Sequence, residues 1–237
     1  MPFTRRTALA ALTAFAAMPG MSFGSDDNIK PLRIGVIGAG WLGGSVGRCW
    51  VKAGHEVLFS TRHPEELASW VKPLGTRASY GTVQQAAEFG EVILIAVPYE
   101  AIPDIGRTFA APLKGKIILD ACNPPGSSNS PLAQEALANG AAVTTARYLP
   151  GTRVVRAFSA VDATAVEASF AGGARRLGVP IASDDGAALQ TAARLVRDAG
   201  CTPVMVGSLA QAVSFQRGGP GFRANTSEQE LRRLLGL

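Results

Sequence analysis

The sequence predicts an α/β protein: a doubly wound, mainly parallel sheet with a small C-terminal α/β extension. Three observations carry that prediction. Short apolar runs alternate with helix-forming stretches along most of the chain, as units of strand, crossover helix and parallel strand require. The runs 91–97 and 116–121 are almost wholly apolar, the pattern of strands buried on both faces. The first apolar run, Leu32 to Ile37, leads directly into a glycine-rich turn with G-x-G-x-x-G spacing.

That turn reads Gly38-Ala39-Gly40-Trp41-Leu42-Gly43, and a helix is predicted over 41–53. A strand before such a turn and a helix after it point to dinucleotide binding. Gly38 serves the tight turn, Gly40 admits a pyrophosphate close to the backbone, and Gly43 lets helix pack on strand. The amides and the positive dipole end at the helix start favour the phosphates. This is the nucleotide-binding arrangement of a Rossmann-type sheet.

The next strand is Glu56 to Ser60. In an NAD site the end of this strand carries an acidic residue, about 20 residues beyond the glycines, for the ribose 2′-hydroxyl. Here the place reads Ser60-Thr61-Arg62-His63, and Glu65 and Glu66 lie beyond Pro64. Hydroxyls beside a guanidinium suit a 2′-phosphate, which selects NADP(H) over NAD(H). The plainer alternative for Arg62 is a solvated loop arginine. Glu56 stands at the wrong end of the strand to meet the ribose.

The alternation continues. A short helix over 82–88 has Thr82 as its cap, and the buried strand 91–97 ends at Val97-Pro98-Tyr99. A helix over 101–110 leads to the strand 116–121 and then Asn123. After a polar loop, Ser130 precedes Pro131 as a helix cap for 132–137, and Arg153 to Phe158 forms a further strand. Residues 32–160 are thus the nucleotide-binding domain. Residues 161–237 form a small C-terminal region for substrate or dimerisation, with helices over 161–170 and 187–199, a strand and turn over 179–185, a last strand over 202–206, a flexible Gly218–Gly221 loop, and a terminal helix opened by Thr226. No internal repeat is present.

In such sheets the ligand lies across the carboxyl ends of the strands, so Val97, Pro98, Tyr99, Asn123 and Ser159 should line one crevice with Gly40. Tyr99 is either a cover for a cofactor ring or a surface aromatic at a helix start. Asn123 is either a hydrogen-bond partner of the nicotinamide or its ribose, or a loop residue before Pro124.

The 237 residues carry a formal charge of +5, spread without a lysine–arginine block, which excludes nucleic acid as the expected partner. The N-terminus is distinct: Arg5-Arg6 precede an uncharged, alanine-rich stretch over 8–18. A run that short does not span a bilayer, so no stable membrane span is expected. Residues 1–24 read as an export signal of the twin-arginine type, which makes the expected location periplasmic; a cytoplasmic protein with an unprocessed tail is the alternative. Cys49, Cys122 and Cys201 are far apart and odd in number, so buried thiols are expected rather than a disulfide framework. His55 and His63 have no metal-ligand company, and no metal is expected.

On the turn Gly38–Gly44, Ala53-Gly54-His55-Glu56-Val57, Thr61-Arg62, Ala96-Val97-Pro98-Tyr99-Glu100-Ala101, Leu149-Pro150-Gly151 and Val179–Asp185, the chain resembles the NADPH-dependent deazaflavin (coenzyme F-420) reductases. The resemblance runs from about residue 32 to the end. The same nucleotide fold is similar to the cytoplasmic domain of certain metalloreductases. The resemblance implies that residues 38–43 hold the pyrophosphate, Thr61 and Arg62 hold the 2′-phosphate, and Val97-Pro98-Tyr99 flank the nicotinamide. It also implies an enzyme that passes hydride between NADP(H) and a small-molecule redox acceptor. Two features depart from the family pattern: Ser159 stands where the deazaflavin reductases imply a histidine, and the C-terminus lacks their apolar helix. The acceptor class stays a flat ring: flavin, deazaflavin or quinone-like. No Ser/His/Asp or paired-carboxylate set is needed, because the cofactor carries the chemistry. Two other readings stay open, a small dehydrogenase or imino acid reductase and a non-catalytic NADP(H) sensor, as does assembly as a homodimer.

Overall fold

A computed structural model describes residues 30–126 and 129–237. The proposed export signal, residues 1–24, lies outside the described residues. The elements follow in the order β1 (Arg33–Ile37), α1 (Trp41–Lys52), β2 (Glu56–Ser60), α2 (Ala68–Val71), β3 (Ala78–Gly81), α3 (Val83–Phe89) and β4 (Val92–Ile95). Then come α4 (Ile102–Thr108), α5 (Ala110–Leu113), β5 (Ile117–Asp120), α6 (Pro131–Asn139), α7 (Ala141–Tyr148) and β6 (Arg153–Arg156). The chain closes with α8 (Ala163–Phe170), β7 (Gly178–Ala182), α9 (Gly186–Asp198), β8 (Thr202–Gly207) and α10 (Glu228–Leu235).

All eight strands share one sheet, in the order β3-β2-β1-β4-β5-β6-β7-β8. The pairs from β3 through β6 are parallel, and their order 3-2-1-4-5-6 is that of the Rossmann fold. β7 pairs antiparallel with β6 and parallel with β8, so the C-terminal extension continues the sheet with reversed strands.

The period of two decides the layers. Ile34, Val36, Val92, Leu94 and Leu119 face one core, which Trp50 of α1, Val166 of α8 and Leu195 of α9 complete. Ile37, Ile93, Ile95 and Ile118 face the other, closed by Ala86 of α3, Ile102 and Ile105 of α4, and Ala141 and Ala142 of α7. Two polar side chains inside tie distant elements together. Trp50 Nε1 donates to the Leu195 carbonyl at 2.7 Å. His55, 2% exposed, accepts the Leu32 N–H at Nδ1 (3.1 Å) and sets Nε2 3.0 Å from Asp198 Oδ2, tying β1 to the end of α9.

The caps expected at Thr82 and Ser130 are in place, Thr82 in a reciprocal box with Gln85. Elsewhere the structure corrects the sequence reading. The terminal helix is capped by Ser227 rather than opened by Thr226, since the Ser227 hydroxyl accepts the Glu230 N–H. β3, unforeseen, is a short edge strand; α7, also unforeseen, has no side-chain cap and a Val-Thr-Thr run of modest helix propensity, and it forms because Ala141, Ala142, Thr144 and Thr145 are buried. β6 stops at Arg156, short of the predicted Phe158, because Phe158 takes a left-handed φ of 60°. The Gly218–Gly221 segment is not a loose loop: Gly219 N donates to the Gln216 carbonyl (2.8 Å) and Gly221 N to the Ser214 carbonyl (3.0 Å).

Candidate functional site

The site begins where β1 hands over to α1, at the switch point between β1 and β4. Gly38 has φ 95°, and a Cβ there would lie 2.7 Å from Val97 Cγ1. Gly38 and Ala39 both donate their N–H groups to the Ser60 carbonyl, at 3.1 and 3.0 Å, which locks the turn to the end of β2. A Cβ on Gly43 would collide with the Gly38 carbonyl oxygen and press on Val36 Cγ1 (3.2 Å) and Ala96 Cβ (3.3 Å). Gly40 differs: nothing lies within 4 Å of its Cβ position. Protein packing therefore explains Gly38 and Gly43 but not Gly40, whose bareness is what the approach of a pyrophosphate requires. No side chain caps α1, and helix geometry leaves its first amides without intrahelical acceptors. The cradle fits a dinucleotide.

At the end of β2 the predicted residues divide. Ser60 is fully buried and its hydroxyl donates to the Val36 carbonyl at 2.8 Å, so its side chain holds the turn and does not face a ribose. That corrects the expectation of a phosphate-binding hydroxyl at this position. The Thr61 hydroxyl accepts the His63 N–H at 2.8 Å and keeps its own hydrogen for another partner. Arg62 and His63 are exposed; His63 Nδ1 lies 3.7 Å from Glu65, and Arg62 has no ion-pair partner among the described residues. Glu56 stands at the opposite end of the strand.

At the end of β4, Val97 borders the turn and Pro98 beyond it is exposed, but the Tyr99 side chain turns away from the turn. Tyr99 is 1% exposed and donates its hydroxyl to the Ala141 carbonyl at 2.8 Å. Burial pushes its phenol well above the usual range. It is neither a ring cover nor a surface aromatic: it pins α7 beneath β4.

The ends of β5 and β6 carry a feature the sequence reading passed over. Asp120 and Arg156 are register partners, fully buried, with Arg156 Nη1 donating to Asp120 Oδ2 at 2.6 Å. Arg156 Nη2 donates to Asn123 Oδ1 at 2.8 Å, and Asp120 Oδ1 accepts the Cys122 N–H at 2.9 Å. Asn123 in turn donates through Nδ2 to the Ser159 carbonyl at 2.7 Å. The amide predicted to meet the nicotinamide is thus committed to joining two strand ends, with one N–H left over. A charge at the C-terminal end of each of two adjacent apolar strands was the signal for this pair.

Beyond these ends lies a cleft of about 380 Å³. Trp41 and Leu42 from the first turn of α1 line it, with Asn123, Ser159 and the start of α8 opposite. Arg217, Phe222 and Arg223 complete it from a segment more than fifty residues further along the chain. Nothing near those three residues in the sequence marks them.

Fold and turn together define a Rossmann-type protein with a dinucleotide-binding cradle. Residues 33–124 match the family model "NADP oxidoreductase coenzyme F420-dependent", and the chain has that family's fold. The chain is similar to metalloreductase STEAP3 from Rattus norvegicus, 31% identical over 180 residues, which are 76% of this chain and 35% of that one. It spans about a third of the length of this curated relative. Among solved structures it is similar to hypothetical protein SMa0349 from Sinorhizobium meliloti (TM-score 0.67, 24% identity, 82% of this chain and 94% of that one). A protein named as an F420-dependent NADP reductase from Arthrobacter sp. FB24 superposes with TM-score 0.58 at 22% identity, covering 76% and 87%. An imine reductase from Myxococcus stipitatus in complex with NADP+ superposes at 0.52 with 17% identity, covering 76% and 56%. No helix among the described residues is long and apolar enough to cross a membrane.

Proposed function

We propose that this chain transfers hydride between NADP(H) and a flat redox acceptor, a flavin, deazaflavin or quinone-like ring. One observation carries the reading: Trp41 and Leu42 belong at once to the pyrophosphate turn and to the wall of the cleft. A nicotinamide extending from that turn therefore has room for a second ring beside it. NADPH supplies the hydride, two electrons and one proton, which leaves NADP+ and a reduced acceptor.

The chain's own work is binding and orientation. The amides at the start of α1 take the pyrophosphate. Arg62 and the Thr61 hydroxyl take the 2′-phosphate, an assignment supported by the exposure of Arg62 and the lack of a carboxylate at the end of β2. Asn123 and the Asp120–Arg156 pair keep two strand ends rigid behind the cleft, which serves the orientation of the reacting rings.

The test is to follow oxidation of NADPH with flavin, deazaflavin, quinone and ferric acceptors. Turnover with a flat acceptor supports the reading; tight NADPH binding with no turnover by any of them would assign the chain as a sensor instead. We also propose export, on the arginine pair Arg5-Arg6 and the uncharged stretch after it. N-terminal sequencing of the native protein tests this: a start between residues 20 and 30 supports it, and an intact Met1 contradicts it.

A further inference from the structure

One wall of the cleft is a strap, residues 216–226, held down by bonds to the segment between β6 and α8. Arg223 N donates to the Ala160 carbonyl (2.8 Å) and Asp162 N to Asn225 Oδ1 (3.0 Å). Asn225 Nδ2 returns a bond to Asp162 Oδ2, and Arg223 Nη2 meets Asp162 Oδ1, each at 2.6 Å. Arg223 and Asn225 both sit at left-handed φ, 53° and 44°. Such conformations persist only where the surroundings over-determine them, and they gather at binding sites.

The charges facing the cleft are Asp162, Arg223 and Arg217. Asp162 and Arg223 cancel one another. Arg217 is left over: its guanidinium lies over the Phe222 ring, 5.1 Å from the centroid, with no carboxylate partner among the described residues. Stacking fixes the plane of the guanidinium and leaves its fork of N–H donors open. A second observation also points to a ligand. Ser159 lines the cleft at 3% exposure, and its buried hydroxyl has no hydrogen-bond partner. A buried, unpaired hydroxyl calls for an explanation, and a bound molecule is one.

We propose that the acceptor taken by this cleft is an anion, a ring bearing a phosphate or carboxylate, with Arg217 holding the anionic group and the Ser159 hydroxyl meeting the ring. This rests on the reading of the cleft as the acceptor site, and it makes the strap the element that selects among acceptors. A neutral ring of the same shape would leave the guanidinium without a partner.

Equilibrium binding in the presence of NADP+ tests it without requiring turnover. FMN and riboflavin share one ring and differ by a phosphate; a naphthoquinone carboxylate and its parent quinone do the same for a carboxylate. The pair that separates identifies the source of the charge. At least one anionic member should bind about tenfold or more tighter than its neutral partner, the scale of one charge-assisted contact. Arg217→Gln should bring the pair within about twofold, while Arg217→Lys keeps part of the preference, because a lysine preserves charge but not the fork. NADP+ affinity and Tm should not move. Equal binding within both pairs, or equal losses for charged and neutral rings in Arg217→Gln, would overturn the proposal. Loss of NADP+ affinity with the ratio unchanged would overturn it by giving Arg217 to the cofactor. If NADP+ binds and none of the four rings does, the acceptor reading of the cleft falls and the proposal with it.

Discussion

Two alanine substitutions, three positions apart, should separate folding from cofactor binding. At Gly40 the backbone is extended (φ −75°, ψ −158°) and a Cβ finds open space. Replacing glycine where its conformation suits alanine stabilises by about 0.4–1 kcal/mol through the unfolded chain. Losing a tolerated N-cap glycine opposes this by up to about 1 kcal/mol. The two nearly cancel, so Gly40→Ala should change stability by no more than about 0.5 kcal/mol. At Gly43 the added methyl meets the backbone oxygen of Gly38, with Val36 and Ala96 behind it at 3.2 and 3.3 Å. Backbone cannot rotate aside as a side chain can, so α1 must lift off β1. Overpacking of this kind costs about 1–3 kcal/mol. In a domain of this size that lowers Tm by about 2–4 °C per kcal/mol. Differential scanning fluorimetry and NADPH titration read the two effects independently. Gly40→Ala should melt like the parent yet bind NADPH at least about tenfold more weakly, a loss of about 1.4 kcal/mol or more. Gly43→Ala should lose both. If Gly40→Ala binds NADPH like the parent, the bare position is not there for a phosphate and the cradle argument fails.

Three further outcomes follow from the packing. Asp120→Asn leaves the buried Arg156 without its counter-charge and should destabilise by about 3–5 kcal/mol in urea denaturation; a loss under about 1 kcal/mol would mean the pair is not the anchor described. Burial pushes the Cys49 and Cys201 thiols up to about 11, and Cys122 higher still, so none should react with a disulfide reagent at about pH 8 until the protein unfolds. Because these folded values are raised, their contribution to stability is complete below the unfolded value of about 8.5 and fades as pH climbs through about 11. Asp185 behaves oppositely: the Arg153 fork and then the Ala188 N–H hold its carboxyl far below the usual range. Its contribution is present above about pH 4 and is lost as pH falls through the folded value, so acid unfolding of Asp185→Asn should depend less steeply on pH.

The parts of this molecule legible in the sequence are those set by local rules. The glycine turn, the strands around it and the caps at Thr82 and Ser130 each need only a few adjacent residues, and the structure has them. β4 and β5 announced themselves because central parallel strands must be apolar on both faces. β3 did not, since an edge strand half open to solvent carries little pattern. α7 did not, since tertiary burial rather than propensity makes it. The same division runs through the site. Residues 38–43 and 60–62 could be assigned to a ligand by spacing, but whether a side chain turns in or out could not: Ser60 and Tyr99 turn inward to backbone carbonyls. Asn123 is half-claimed by Arg156, a partner 33 residues away, and Arg217 reaches the cleft only because the chain doubles back over β6. Such pairings are made by topology, and no local window contains them.

The central claim is that the turn at Gly38–Gly43, edged by Arg62 and free of any carboxylate at the end of β2, selects the 2′-phosphorylated cofactor. Isothermal titration of the protein with NADPH and NADH, repeated on Arg62→Asp, tests it most directly. NADPH should bind at least about tenfold more tightly than NADH, and the substitution should erase that preference chiefly by weakening NADPH. Equal affinities in the parent, or equal losses for both cofactors in the variant, would contradict it.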